Sequence, residues 1–73
     1  MKINKFIKNQ TNKDYKVTFE NYLGETSVIV TKYDHEKMTT HNVSFPYEHI
    51  ENAPNETLEN YIDSEILKLE EGN

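Results

Sequence analysis

Seventy-three residues are expected to form a single domain over residues 1–73, with too little interior to build a deep catalytic cleft. With no cysteine, the chain has no disulfide, thiolate nucleophile or cysteine metal knot, which suits a reducing, cytoplasmic setting. The formal charge of -5 is unevenly placed: residues 1–37 hold seven Lys and five Asp/Glu, residues 38–73 one Lys and eight Asp/Glu, and there is no Arg.

In chain order, Ile3, Phe6, Ile7 and Gln10 recur at i, i+3, i+4 and i+7, which predicts a short amphipathic helix over about residues 3–10 with Asn4 as N-cap. Thr11 to Asp14 is its polar exit turn. From Tyr15 to Leu23 the residues alternate, Tyr15, Val17 and Phe19 against Lys16, Thr18 and Glu20, the period of a half-buried strand. Gly24 supplies a turn. Thr26 to Tyr33 is β-branched and reads as a second strand. Asp34-His35-Glu36-Lys37 forms a hairpin loop, and Met38 to Phe45 a third strand with His41, Val43 and Phe45 on one face. The breaks are too short for parallel crossovers, so the strands form an antiparallel meander.

Pro46 cannot donate to a ladder and closes the sheet. Residues 46–51 suit one helical turn. Asn55 is the expected N-cap of a last helix over about 55–70. In that helix Leu58, Tyr61, Ile62, Ile66 and Leu69 share an arc expected to pack on the sheet, with Glu56, Glu59, Asp63 and Glu70 roughly opposite. Leu67 falls in the acidic stripe and is expected to be exposed. The fold class is therefore α+β: a three-stranded antiparallel sheet with a short N-terminal helix and a longer C-terminal helix, both on one face.

No residue pattern supports catalysis. His35, His41 and His49 stand apart in no metal-ligand spacing. Ser27, Ser44 and Ser64 lie in no nucleophile elbow. Gly24 and Gly72, the only glycines, make no phosphate loop. Glu56, Glu59 and Asp63 form a ladder and not a pocket, and a general acid needs burial or a close neighbour, neither of which a solvated helix face gives. The expectation is no enzyme, no cofactor and no metal. No apolar run reaches the roughly 18 residues of a membrane helix, and Met1-Lys2-Ile3-Asn4-Lys5 lacks the apolar core of a signal peptide. Without Arg, direct nucleic-acid binding is not expected either.

Acidic side chains can imitate DNA phosphates and base-edge acceptors in a pocket that grips DNA with Arg and Lys. The candidate partner-binding residues are Asp34 and Glu36 at the hairpin loop, Asp14 before the first strand, the ladder Glu56, Glu59 and Asp63, and Glu70 and Glu71. Two other modes compete with mimicry. One is a small accessory protein that docks through its sheet edge or Leu67. The other is a nucleic-acid module using the Lys-rich first helix.

The stretch Met1-x-Ile3-Asn4-x-x-Ile7-Lys8, followed by Asn12-Lys13-Asp14-Tyr15-x-Val17, resembles the start of a small phage anti-CRISPR protein. The resemblance covers residues 1–17. The loop Asp34-His35-Glu36-Lys37 lacks a Gly that the family has there, and the C-terminal region is shorter. The resemblance implies a helix, three strands and C-terminal helices. It also implies inhibition of the type II CRISPR RNA-guided nuclease at the site that reads the protospacer-adjacent motif. By position it implies contacts at Asp14, Asp34, Glu36, Glu70 and Glu71. The expected function is a phage-derived acidic inhibitor, in the host cytoplasm, of a basic nucleic-acid-binding protein.

Overall fold

The computed structural model describes residues 2–71; Met1 of the N-terminal motif, Gly72 and Asn73 lie outside them. The order is α1 (Lys2–Asn12), β1 (Lys16–Tyr22), β2 (Glu25–Asp34), β3 (Thr39–Pro46), α2 (Glu48–Asn52) and α3 (Asn55–Glu71). The three strands form one antiparallel sheet in the order β1-β2-β3. This is the α+β architecture that the alternation and the short breaks predict.

Strand parity decides what the sheet buries. Val17 pairs with Val30 and Phe19 with Val28, while Val30 pairs with Val43 and Val28 with Phe45. These residues share one face, because opposed residues of an antiparallel pair point the same way. Phe6, Ile50, Leu58, Ile62 and Ile66 from the three helices cover that face and complete one core. Each such burial contributes roughly 1.5–3 kcal/mol relative to exposure. The other face stays open and polar, with Lys16, Thr18, Glu20, Thr31, Asn42 and Ser44 on it. There the Thr31 hydroxyl donates to Asn42 Oδ1 at 2.7 Å.

The predicted arc of α3 was too wide. Leu58, Ile62 and Ile66 are buried, but Tyr61 is 47% and Leu69 41% exposed. Tyr61 lies on the flank beside the sheet edge, and Leu69 lies beyond the last buried turn. Phe19, on an edge strand, is also 47% exposed, leaning on Tyr47 with ring centroids 6.3 Å apart.

Neither expected N-cap forms. Helix α1 already begins at Lys2, which puts Asn4 inside its first turn. Asn55 is the first residue of α3, and its buried Oδ1 has no hydrogen-bond partner among the described residues. The exit from α1 is better defined. Asp14 N–H donates to Thr11 O at 2.9 Å and Tyr15 N–H to Gln10 O at 2.9 Å, with Asp14 at φ 64°. These are the two bonds of a Schellman motif, with Asp14 as its left-handed residue.

The first hairpin turns in two residues. Tyr22 pairs with Glu25 around Leu23 at φ 51° and Gly24 at φ 81°. Positive φ at both positions matches the right-handed twist of the strands. Glycine accepts it freely, whereas a leucine there is strained. Leu23 is also 86% exposed.

Candidate functional site

The topology gathers the chain's charges at two ends of the sheet. One, the tail end, holds the exits of α1 and α3, the start of β1 and the β2–β3 loop. The other, the tip end, holds the Leu23-Gly24 turn, α2 and the starts of α1 and α3. Two contacts fix this arrangement: Lys37 Nζ donates to Glu70 O at 2.8 Å, and Lys2 Nζ donates to Glu51 O at 2.8 Å.

Of the eight carboxylates singled out from the sequence, Asp14, Asp34, Glu36, Asp63, Glu70 and Glu71 come together at the tail end. Several already have partners there. Lys13 Nζ lies 3.1 Å from Asp63 Oδ2, and Lys32 Nζ donates to Glu70 Oε1. Glu59 Oε1 accepts from Gln10 Nε2 at 3.4 Å. These three acids are half-buried along the flank of α3 that faces α1, β1 and β2. They form a polar seam, whereas the helical pattern had set them on the solvated side.

The seam shifts the acidity of its members. The hydrogen bond to Glu70 raises the Lys32 ammonium above its ordinary value. Burial, and then the charge of Asp63, pushes the Tyr15 phenol up. Lys13 also sits 5.9 Å from the centroid of the Tyr15 ring. Gln10 is fully buried in the seam, and its Oε1 has no hydrogen-bond partner among the described residues.

Asp34 is engaged within its own loop. Its Oδ1 accepts the N–H of Glu36 at 3.0 Å and of Lys37 at 3.2 Å, and its Oδ2 lies 3.7 Å from His41 Nε2. The Lys37 N–H above all, then the Glu36 N–H and His41, hold the carboxyl below its ordinary value against the opposing effect of burial. Such side-chain acceptance is how an Asp nucleates a tight loop. Met38 completes it at φ 54°.

Asp14, Glu36, Glu56 and Glu71 remain exposed and take part in no ion pair among the described residues. Asp14 stands where Gly or Asn is the usual choice, and its charge faces the negative end of the α1 dipole. Leu67 is exposed but alone, flanked on α3 by Ser64 and Glu71, so it is no apolar patch.

The tip end was not anticipated. Glu20, Glu25, Glu48 and Glu51 join Glu56 there, all exposed, and none forms an ion pair among the described residues. Glu25 and Glu48 line one groove of about 390 Å³ with Tyr47 and Pro46. Sequence patterning missed this group because α2, at five residues, is too short to show a period. Lys32 lies on the core face of β2, sharing the parity of Val28 and Val30.

Among the described residues no three His, Cys, Asp or Glu side chains are arranged to hold a metal ion. No helix there is long and apolar enough to cross a membrane. No protein-family model, curated protein or solved structure matches this chain.

Proposed function

We propose that this protein is an acidic, non-catalytic binding protein that blocks a basic nucleic-acid enzyme by presenting carboxylates where DNA phosphates would lie. The partner class comes from the resemblance over residues 1–17, which points to the type II CRISPR RNA-guided nuclease. The observation that carries the reading is the exposed acid of the tip end, where Lys2 donates to the Glu51 carbonyl and not to a carboxylate. Glu20, Glu25, Glu48, Glu51 and Glu56 project from two rigid hairpin strands and two helix starts, with no cation paired to them among the described residues. Carboxylates with no cation against them give a basic groove the most to neutralise.

The tail end supports a second reading. It unites Asp14, Asp34, Glu36, Glu70 and Glu71, the residues that the resemblance implies as contacts, although they are far apart in the sequence. Asp14 in particular occupies a position where its charge is locally unfavourable.

One experiment tests both. Guide-loaded nuclease is mixed with target DNA and an excess of the protein, and cleavage is followed. Inhibition is expected. The double reversal Glu48→Lys with Glu51→Lys should weaken it by about tenfold or more, and Glu36→Lys with Glu71→Lys should do so far less. The opposite order selects the tail end. Undiminished cleavage by the unaltered protein rejects this partner. Binding that hardly weakens between about 50 mM and about 500 mM salt rejects mimicry.

A further inference from the structure

We infer that the open edge of β3 is a self-association surface, on which a second copy of this chain adds its own β3 to form a continuous six-stranded sheet. The inference does not rest on the proposed function: it uses the edge of β3 and meets the tip-end carboxylates only at Glu48.

In the order β1-β2-β3 the outer side of β3 has no neighbouring strand among the described residues, so its outward backbone groups are unpaired by them. Exposed edges of this kind are usually guarded by charge. The opposite edge follows that rule, with Lys16 and Glu20 in β1. Strand β3, Thr39-Thr40-His41-Asn42-Val43-Ser44-Phe45-Pro46, has no Lys, Asp or Glu in eight residues.

An apolar groove of about 420 Å³ runs beside this edge. It is lined by Phe45, Pro46, His49, Ala53, Leu58 and Tyr61. The His49 ring lies parallel to that of Phe45, at 7° and 6.3 Å between centroids. Tyr61 is half exposed over it. A strand added at the edge would carry its own helix layer across this groove and bury it.

Charge argues for a second copy as the occupant. The chain as a whole is acidic, but the flank of α3 above β3 is nearly balanced: Thr57, Tyr61 and Ser64 are neutral, and Glu65 is met by Lys68 at 3.5 Å. Among the described residues a basic partner finds no carboxylate there without a cation beside it. Two copies, however, can meet without opposing like charges. Opposed residues of an antiparallel pair share a face, so the two-fold axis passes through a residue of β3. An axis through Val43 sets no like charges against each other, whereas one through Asn42 would bring Glu36 opposite Glu48, so the axis is placed at Val43. It also brings Glu48, just after one β3, toward Lys37, just before the other. Edge pairing of this type draws its affinity from main-chain hydrogen bonds and its specificity from the flanking pocket.

The test is sedimentation equilibrium of the full chain over the micromolar to millimolar range. The expected result is a reversible monomer–dimer equilibrium. Ser44→Lys on the edge and Tyr61→Glu in the groove should each weaken association by about tenfold or more. Thr18→Lys, on the other edge strand, should leave it unchanged. Amide exchange in β3 supplies a readout that needs no variant, with the outward-facing β3 amides gaining protection as concentration rises. A monomer at every concentration overturns the inference. So does a dimer indifferent to both β3-side variants, or one lost in Thr18→Lys.

Discussion

The two ends of this molecule carry similar numbers of carboxylates and treat them in opposite ways. At the tail end Lys13 and Lys32 pair with Asp63 and Glu70, while Asp34 folds its own loop. At the tip end Glu20, Glu25, Glu48, Glu51 and Glu56 face solvent with no ion pair among the described residues. The lesson is that a charge split along a sequence is not a charge split in space. The lysines of the first half fold onto the acids of α3. The surface that keeps its net charge is drawn from the hairpin, α2 and one α3 residue.

The sharpest break removes what both ends rest on. Ile62→Ala opens the core beneath α3 and should destabilise by about 2–5 kcal/mol. Stability for this length is only roughly 4–11 kcal/mol at about 0.05–0.15 kcal/mol per residue. Urea melts should show the midpoint falling steeply, with both ends lost in one transition. A loss under about 1 kcal/mol would mean that the helix layer is not anchored there.

The next effect belongs to the tip. Leu23→Asn relieves a left-handed leucine and creates an Asn-Gly turn, so it should stabilise by about 0.5–1 kcal/mol in the same melts. If it destabilises, exposed Leu23 makes a contact that its burial does not reveal.

The contrast between the ends is tested most directly by two alanines. Asp63→Ala strips Lys13 of its partner in a half-exposed seam and should cost up to about 1 kcal/mol. Glu51→Ala loses no carboxylate partner and should stay within about 0.5 kcal/mol of the parent. Equal costs would dissolve the distinction.

The smallest effect is read against pH. Asp34 is held below its ordinary value of 3.8, so its contribution is complete above that value and disappears as the pH falls through the lower folded value. Thermal melts from neutral pH into the acid range should show the parent losing its advantage over Asp34→Asn only near and below pH 3.8. The amide keeps the loop's acceptor but cannot titrate. A constant difference down to the acid limit would assign Asp34 no role beyond the turn.

Much of the fold was legible from periodicity. Tyr15-Val17-Phe19 and His41-Val43-Phe45 alternate as the observed faces do, and Ile3, Phe6, Ile7 and Gln10 mark the inner side of α1. The site was less legible, for physical reasons. The α3 pattern included Tyr61 and Leu69, which pulled the apparent arc away from Ile62 and set Glu59, Asp63 and Glu70 opposite the core. Which flank of a helix meets a neighbouring lysine is a tertiary fact. So is the competition at Asp34 between an outside partner and two nearby N–H groups. The tip-end acids come from elements that share no period, and the β2–β3 register, extended by the Tyr47 N–H to Thr26 O bond, brings Glu25 beside Glu48.

The Schellman exit at Asp14 has a further consequence, for how this fold tolerates insertions. Lys13, Asp14 and Tyr15 are all that separate α1 from β1. Because the two-residue turn holds Val17 opposite Val30, a residue added there cannot be taken up by β1 and must break the bonds of Asp14 and Tyr15 to Thr11 and Gln10. The side chain at position 14 is open to change; the number of residues between helix and strand is not.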